Sequence, residues 1–379
     1  MSDQTLQQLV ENAMEDIFEF ADDLGPAKIV HIYDPKNGLK AVLVIDNAAC
    51  GPSIGGIRMA PDVSAAEAFR LARAMTLKNS AAGLPHGGGK AVIFGDPKMA
   101  SAEKESLIRA FAGAIRDLVE YIPGPDMGTD ERCMAWIKDE IGRAVGLPPE
   151  IGGIPLDEIG ATGFGLKVSI DAARKFCDLE LKNARVVIQG YGSVGKHAAR
   201  FLSEEGAVVI AATDSRGTLF NPQGINVRRL TALKEAGKSV LDYPEGEKLD
   251  RDAVVGIECE IWIPAARPDV IHKDNVGRLK TKLVPQGANI PFTGEAERVL
   301  HEKGTLVVPD FIANAGGVIC ASVEYHGGTE ALAFQTIEEK IRRNTTHVLE
   351  HARKTGSLPR QAAVALAEQR VRSAMAYRR

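Results

Sequence analysis

The sequence predicts a two-domain α/β protein: a mixed α/β domain over residues 1–155, and a doubly wound, mostly parallel sheet over 156–335. Three observations carry this. At 379 residues the chain is too long for one ordinary core. The stretch LPPEIGGIP near residue 150 is dense in Pro and Gly, as an inter-domain hinge is. From Ala184 onward, apolar strand-like runs alternate with helical or looped connections, the rhythm of a parallel sheet.

The elements follow in order. Leu6, Leu9, Val10, Ala13, Ile17 and Phe20 recur at helical spacing, predicting an amphipathic helix over 4–22. KIVHIY and LKAVLVID flank the turn-rich DPKNG, a hairpin signal. Ser64 and Glu67 form a capping-box pattern that opens a helix running toward Ser80. Leu71, Met75 and Lys78 fall on one stripe of it, so a lysine continues the expected buried face. AVIF reads as a strand, and Leu107 to Val119 as a helix ending near YIPGPD. RVVIQG, AVVIAATD, IECEIWIPA, KLVPQGA and TLVVPDF are the strands of the second domain. The last 45 residues, from about Thr336, read as helices and are grouped with the first domain.

Composition narrows the class. With 46 basic and 50 acidic residues the net charge is −4, which gives no basic field for nucleic acid. The N-terminus lacks a basic region followed by an apolar core, and no run approaches the ~20 apolar residues of a membrane span, so a cytoplasmic protein is expected. The five cysteines, Cys50, Cys133, Cys177, Cys259 and Cys320, are scattered and contain no CxxC pair, which indicates neither a disulfide framework nor a cysteine zinc site. HVLEH fits HxxEH with His347 and His351 on one helical face, but no third ligand accompanies it, and a solvated helix face is the simpler reading.

VVIQGYGSVGKHAARFL joins an apolar strand to a helix through Gly190, Gly192, Ser193, Val194 and Gly195 in GxGxxG spacing. AVVIAATD then delivers Asp214 nineteen residues after Gly195, where a ribose-binding acid belongs. Glycine lets backbone approach a pyrophosphate, and the helix N-terminus offers free N–H groups. The second domain is therefore read as a Rossmann-type dinucleotide site, to which Ala266 is also assigned. A carboxylate at Asp214 favours NAD, while Arg216 two residues on keeps NADP open.

GLPHGGGKAV, residues 83–92, looks like a phosphate loop, but a P-loop needs glycine where Leu84 stands and Ser or Thr where Ala91 stands. The stretches GPSIGGIRMAP, MTLKNSAAGLPHGGGKAVIFGDP, YIPGPDMGT, ATGFG, GYGSVG, PQGAN and DFIANAGGV give another answer. In kind and order they resemble the Glu/Leu/Phe/Val amino-acid dehydrogenases, with the twelve-residue step from Lys78 to Lys90 as the sharpest mark.

That resemblance implies reversible oxidative deamination of an L-amino acid, catalysis in a cleft between the domains, and a homo-oligomer. It implies that Lys78 holds the substrate α-carboxylate, Lys90 is the catalytic lysine and Asp126 exchanges protons at the amino nitrogen. Gly55 and Gly56 would line the substrate, Asn314 would sit near substrate and nicotinamide, and Thr162 and Asn289 would fix the nicotinamide half. The chemistry agrees: hydride loss leaves an imine that water must attack, then a carbinolamine that must expel ammonia, so two proton-transfer groups are needed. Burial and a cationic neighbour disfavour a charged Lys90, as a base requires, and the glycines before it are expected to let it approach the substrate. His86 is weighed as a substrate contact against a turn histidine.

Specificity departs from the glutamate branch. Ile54 stands where typical glutamate enzymes carry a lysine for the side-chain carboxylate, and Ala321 where they carry a serine. With Gly124 and Val318 nearby, the expected pocket is apolar and suits Leu, Val, Ile or Phe. TDSRGTLFNPQGI and PDFIANAGGV look more like the glutamate enzymes, so two rivals stand: a glutamate dehydrogenase with an atypical pocket, and a non-catalytic dinucleotide-binding regulator.

Overall fold

The computed structural model describes residues 19–378. The helix expected over 4–22 lies outside the described residues except for its last four, which form a turn and a bridge between Asp22 and Gly25. The chain divides into two compact units. One comprises residues 19–80, 84–153 and 368–378, the other 81–83 and 154–367. Residues 336–367, grouped with the first domain from sequence, thus pack with the second unit.

The first unit is built on a five-stranded sheet of order β1-β2-β4-β3-β5. β1 (Lys28–Asp34) and β2 (Leu39–Asn47) form the expected hairpin, closed by the Asp34 carboxylate accepting from Lys36 N at 2.9 Å and Asn37 Nδ2 at 2.6 Å. β3 (Ser53–Ala60) was not legible as a strand because two glycines interrupt its apolar alternation. It is nonetheless buried between parallel neighbours β4 (Gly87–Phe94) and β5 (Tyr121–Pro125). β4 starts at Gly87 rather than Ala91, so the three glycines are strand residues.

Three helices flank this sheet. α1 (Ala65–Ala81) begins where the Ser64 hydroxyl accepts from Glu67 N at 3.1 Å, half of the capping box. Its buried stripe is Ala68, Ala72, Thr76 and Asn79, while Leu71, Met75 and Lys78 flank it half-buried, a correction to the expected stripe. Small side chains let α1 lie close to one sheet face, with Val42, Val44, Phe69 and Val92 as its core. α2 (Ser101–Ala114) ends five residues earlier than expected, and Tyr121 onward is strand. It and α3 (Glu131–Ile141) cover the opposite face, where Leu43, Ile57, Met59, Ile93, Phe111 and Tyr121 pack.

The second unit carries a seven-stranded sheet. β6 (Arg185–Gln189), β7 (Val208–Asp214), β10 (Ile261–Pro264), β11 (Leu283–Pro285) and β12 (Leu306–Val308) are parallel in the order β12-β11-β10-β6-β7. β8 (Gly217–Phe220) and β9 (Glu247–Leu249) extend it antiparallel beyond β7, strands the sequence did not announce. The order turns outward on both sides of β6, so the switch point of a Rossmann sheet lies between the ends of β6 and β10. Its helices are α4 (Ala161–Ala173), α5 (Ser193–Glu204), α6 (Val227–Glu235), α7 (Gly294–Glu302), α8 (Gly316–Tyr325) and α9 (Glu330–Thr355). Phe164, Phe201 and Phe334, with centroids 4.9 to 6.4 Å apart, tie α4, α5 and α9 together. α10 (Pro359–Met375) follows. Among the described residues no helix is long and apolar enough to cross a membrane.

Candidate active site

Lys90 and Asp126 meet as an ion pair on the α1 face of the first unit's sheet. β4 delivers Lys90, and Asp126 follows directly on β5. Lys90 is only 6% exposed. Burial pulls its ammonium below the ordinary lysine range, and the Arg58 cation adds to this, against the opposing pull of Asp126. Burial pushes the Asp126 carboxyl up, but the charge and hydrogen bond of Lys90, with Arg58, more than offset it and hold it low. A buried amine drawn below the ordinary lysine range, beside a carboxylate, is what acid–base chemistry needs.

Gly56 stands against this pair: a Cβ there would lie 2.8 Å from Asp126 Cβ and 3.3 Å from Lys90 Nζ. Gly55 instead packs on the Gly89 backbone, its carbonyl accepting from Tyr121 Oη at 2.8 Å. The three glycines before Lys90 also serve the fold. Cβ atoms on Gly87 and Gly88 would lie 1.8 Å from Asn47 O and 2.0 Å from Thr76 N, and one on Gly89 3.0 Å from the Tyr121 ring. They let β4 lie tight against β2, α1 and β5.

Ile54, 3% exposed, lies two residues before Gly56 in β3 and so shares its face. Gly124, paired with Gly56, would place a Cβ 3.2 Å from Val145 Cγ2, with nothing else among the described residues, chain neighbours aside, within 4 Å. Lys78 sits half-buried in the last turn of α1, two residues beyond the Thr76 contact with Gly88. His86 is buried with Nδ1 3.0 Å from Pro52 O, an anchor for the turn before β4.

In the second unit the GxGxxG glycines divide by role. Gly190, at φ +101°, would place a Cβ 2.7 Å from that of Ala266, and Gly195 one 2.0 Å from Gly190 O. Gly192 has nothing within 4 Å, is exposed, and caps α5, whose first residues are Ser193 and Val194. That is the shape a pyrophosphate needs. Asp214, at the end of β7, is already engaged. Oδ1 accepts from Arg216 N (2.9 Å) and Ser239 Oγ (3.0 Å), and Oδ2 from Lys234 Nζ (2.7 Å) and Val240 N (2.9 Å). Burial pushes its carboxyl up, and Lys234 with the two amides pulls it below the usual range.

The nicotinamide candidates also gather. Asn314 donates to Gly287 O at 3.2 Å and Asn289 Oδ1 at 3.0 Å, while its own Oδ1 is buried with no hydrogen-bond partner. A Cβ on Gly317 would stand 3.1 Å from Thr162 Oγ1, which places Thr162 beside the start of α8 that carries Val318 and Ala321. An open glycine at a helix N-terminus and an unsatisfied carboxamide oxygen both fit a dinucleotide. When bound, it supplies the hydride acceptor.

Residues 26–143 match the Glu/Leu/Phe/Val dehydrogenase dimerisation domain, and residues 152–379 the Glutamate/Leucine/Phenylalanine/Valine dehydrogenase domain. The chain belongs to this family. Glu/Leu/Phe/Val dehydrogenases use NAD or NADP, and the chain is accordingly an amino-acid dehydrogenase acting on the CH–NH2 group. A glutamate dehydrogenase of Aeropyrum pernix is 40% identical over 357 residues, covering 88% of this chain and 85% of its own. An NADP(+)-dependent glutamate dehydrogenase of Pyrobaculum calidifontis is 38% identical over 349 residues, covering 86% and 82%. In structure the chain resembles the hetero-hexameric glutamate dehydrogenase of Thermus thermophilus in its Leu-bound form, with TM-score 0.84, 29% identity, and 100% and 98% of the chains covered.

Sequence reasoning missed several residues of this dehydrogenase. Arg58 and Glu67 border the Lys90–Asp126 pair, and Lys234 and Ser239 hold Asp214. Asn79, fully buried, donates to Gly87 O at 2.6 Å and Ile54 O at 3.4 Å. Arg58 had a signal in hindsight: in SIGGIRMA it shares alternation with Ile54 and Gly56, a charge on a buried face.

Proposed function

We propose that this dehydrogenase converts an L-amino acid with an apolar side chain, of the Leu, Val, Ile or Phe type, reversibly to its 2-oxo acid and ammonia. The observation that carries this is Ile54: buried, on the face of Lys90 and Gly56, and apolar at the position where the resemblance implies the charged partner of a glutamate side chain. Burying an unpaired carboxylate costs several kcal/mol, on the order of hundredfold or more in kcat/KM.

In this reading Lys78 holds the α-carboxylate. After hydride leaves Cα, the Lys90 amine takes a proton from water as its oxygen attacks the imine carbon. Asp126, having taken a proton from the substrate ammonium before the hydride leaves, returns it to the amino nitrogen; the C–N bond then breaks as the hydroxyl proton passes to Asp126 and the C=O forms, and ammonia departs. Asn314, Asn289 and Thr162 hold the nicotinamide half, and Gly190, Gly192, Ser193, Val194, Gly195, Ala266 and Asp214 the remainder. The working form is a homo-oligomer, a reading supported by the match to the family's dimerisation domain.

A second reading, glutamate dehydrogenase, is favoured by the names of relatives 38 to 40% identical. One experiment separates the two: kcat/KM for each amino acid with NAD and with NADP. Leucine or phenylalanine should exceed glutamate; the reverse order removes the apolar assignment.

A further inference from the structure

Arg58 lies between two carboxylates beside the reacting pair. Its Nε is 3.4 Å from Asp126 Oδ2, its Nη2 3.5 Å from Asp126 Oδ1, and its Nη1 pairs with Glu67. Lys90, Asp126, Arg58 and Glu67 thus form a chain of alternating charge drawn from β4, the turn after β5, β3 and α1. Lys78 is the other charged group that α1 brings to this face among the proposed site residues. Tyr121, on the opposite face, is bonded to Gly55 O.

When Lys90 is an amine, Asp126 loses its nearest cation while remaining largely buried, with 20% of its side chain exposed. A carboxylate stranded this way would hold a proton throughout and could accept none from the substrate ammonium. A guanidinium cannot follow Lys90 in giving up its proton, because it stays charged at every working pH. Its planar fork also reaches both oxygens of one carboxylate.

We infer that Arg58 is the standing countercharge of Asp126, a positioning residue that keeps the carboxylate oriented, and ionised between its own proton transfers, while Lys90 releases and regains its proton. Glu67 in turn fixes Arg58 from α1. This rests on the acid–base roles proposed for Lys90 and Asp126. Removing the Arg58 cation should make Lys90 hold its proton to higher pH, and removing the Glu67 anion should act in the opposite sense.

The test is kcat/KM for the best amino acid from about pH 6 to about pH 11. Arg58→Gln should move the ascending limb up by about one pH unit, a roughly tenfold loss below it. Arg58→Lys should move it less than half as far, and Glu67→Gln should move it down. Uniform loss in Arg58→Gln with the limb in place would reduce Arg58 to a strut and overturn the inference. So would equal shifts in Arg58→Gln and Glu67→Gln. A separate arm tests the acid–base roles themselves: Lys90→Gln should keep a burst of reduced coenzyme, which precedes water attack, but lose the steady-state turnover that follows it. If that turnover is normal, the site assignment itself is wrong, whatever Arg58 does.

Discussion

Gly88→Ala tests whether the glycines before Lys90 are there for the fold. A Cβ on Gly88 would lie 2.0 Å from Thr76 N, 2.4 Å from Thr76 Oγ1 and 2.5 Å from Thr76 Cα. Two of these atoms are main chain, so no rotamer change relieves the overlap. To reach an ordinary contact of 3.4 Å, α1 and β4 must separate by about 1.4 Å. Overpacking of this kind costs about 3 kcal/mol, which in a unit of this size lowers Tm by roughly 6 to 12 °C. The displaced turn of α1 also carries Lys78, and a misplacement near 1 Å at a positioning group costs about a hundredfold in rate. The assay pairs a thermal melt with kcat/KM, and both should fall together. A variant with the wild-type melt and rate would refute the packing argument. A variant with the wild-type melt but a lost rate would return the glycine to the substrate.

Three further outcomes are expected. Gly192→Ala meets no atom of the described residues beyond its chain neighbours, so it should melt like wild type while raising the KM for coenzyme roughly tenfold or more; a lowered melt with unchanged KM would contradict the role of this glycine. Lys234→Ala frees the Asp214 charge to repel a 2′-phosphate, so kcat/KM with NADP should fall relative to NAD by about fivefold, on the order of 1 kcal/mol. An unchanged ratio would mean that this pair does not set coenzyme choice. Ile54→Lys should raise the glutamate-to-leucine ratio of kcat/KM by at least about tenfold, because the introduced cation partners the second carboxylate; a ratio that stays put would place that carboxylate elsewhere.

The sheet of the second unit was legible because its strands β6, β7, β10, β11 and β12 are short apolar runs bounded by turn residues. β3 and β5 were not. Their sequences, SIGGIRMA and YIPGP, are rich in Gly and Pro, and burial between neighbours overrides that poor propensity. The pairing of Lys90 with Asp126 was visible only through resemblance, since 36 residues separate them. Asp214 was placed correctly at the end of β7, but its partners Lys234 and Ser239 come from a loop and helix with no sequence mark of their own. The triple glycine, read as room for a substrate, also has a packing role that the sequence could not show: glycine reports close approach, not what approaches.

The two units meet one problem in the same way, since each buries a carboxylate that must hold something else in place. Asp126 faces Lys90, and Asp310 accepts from the backbone N–H of Ile290 at 2.8 Å, fixing the turn that carries Asn289. Asp310 O also accepts from Asn314 N at 2.7 Å, so both carboxamides hang on this residue. In each case a guanidinium supplies the countercharge: Arg58 for Asp126, and Arg360 for Asp310 at 2.9 Å. Arg360 also binds Glu297 and Gln286 Oε1, while Gln286 donates to Glu297. Lysine would serve less well at either place, having no fork to grip two acceptors at once. Breaking such a buried pair from one side costs about 3 to 5 kcal/mol. Losing either arginine therefore disturbs residues it never touches, and a change in activity at Arg360 points to the Asn289–Asn314 pair rather than to proton transfer.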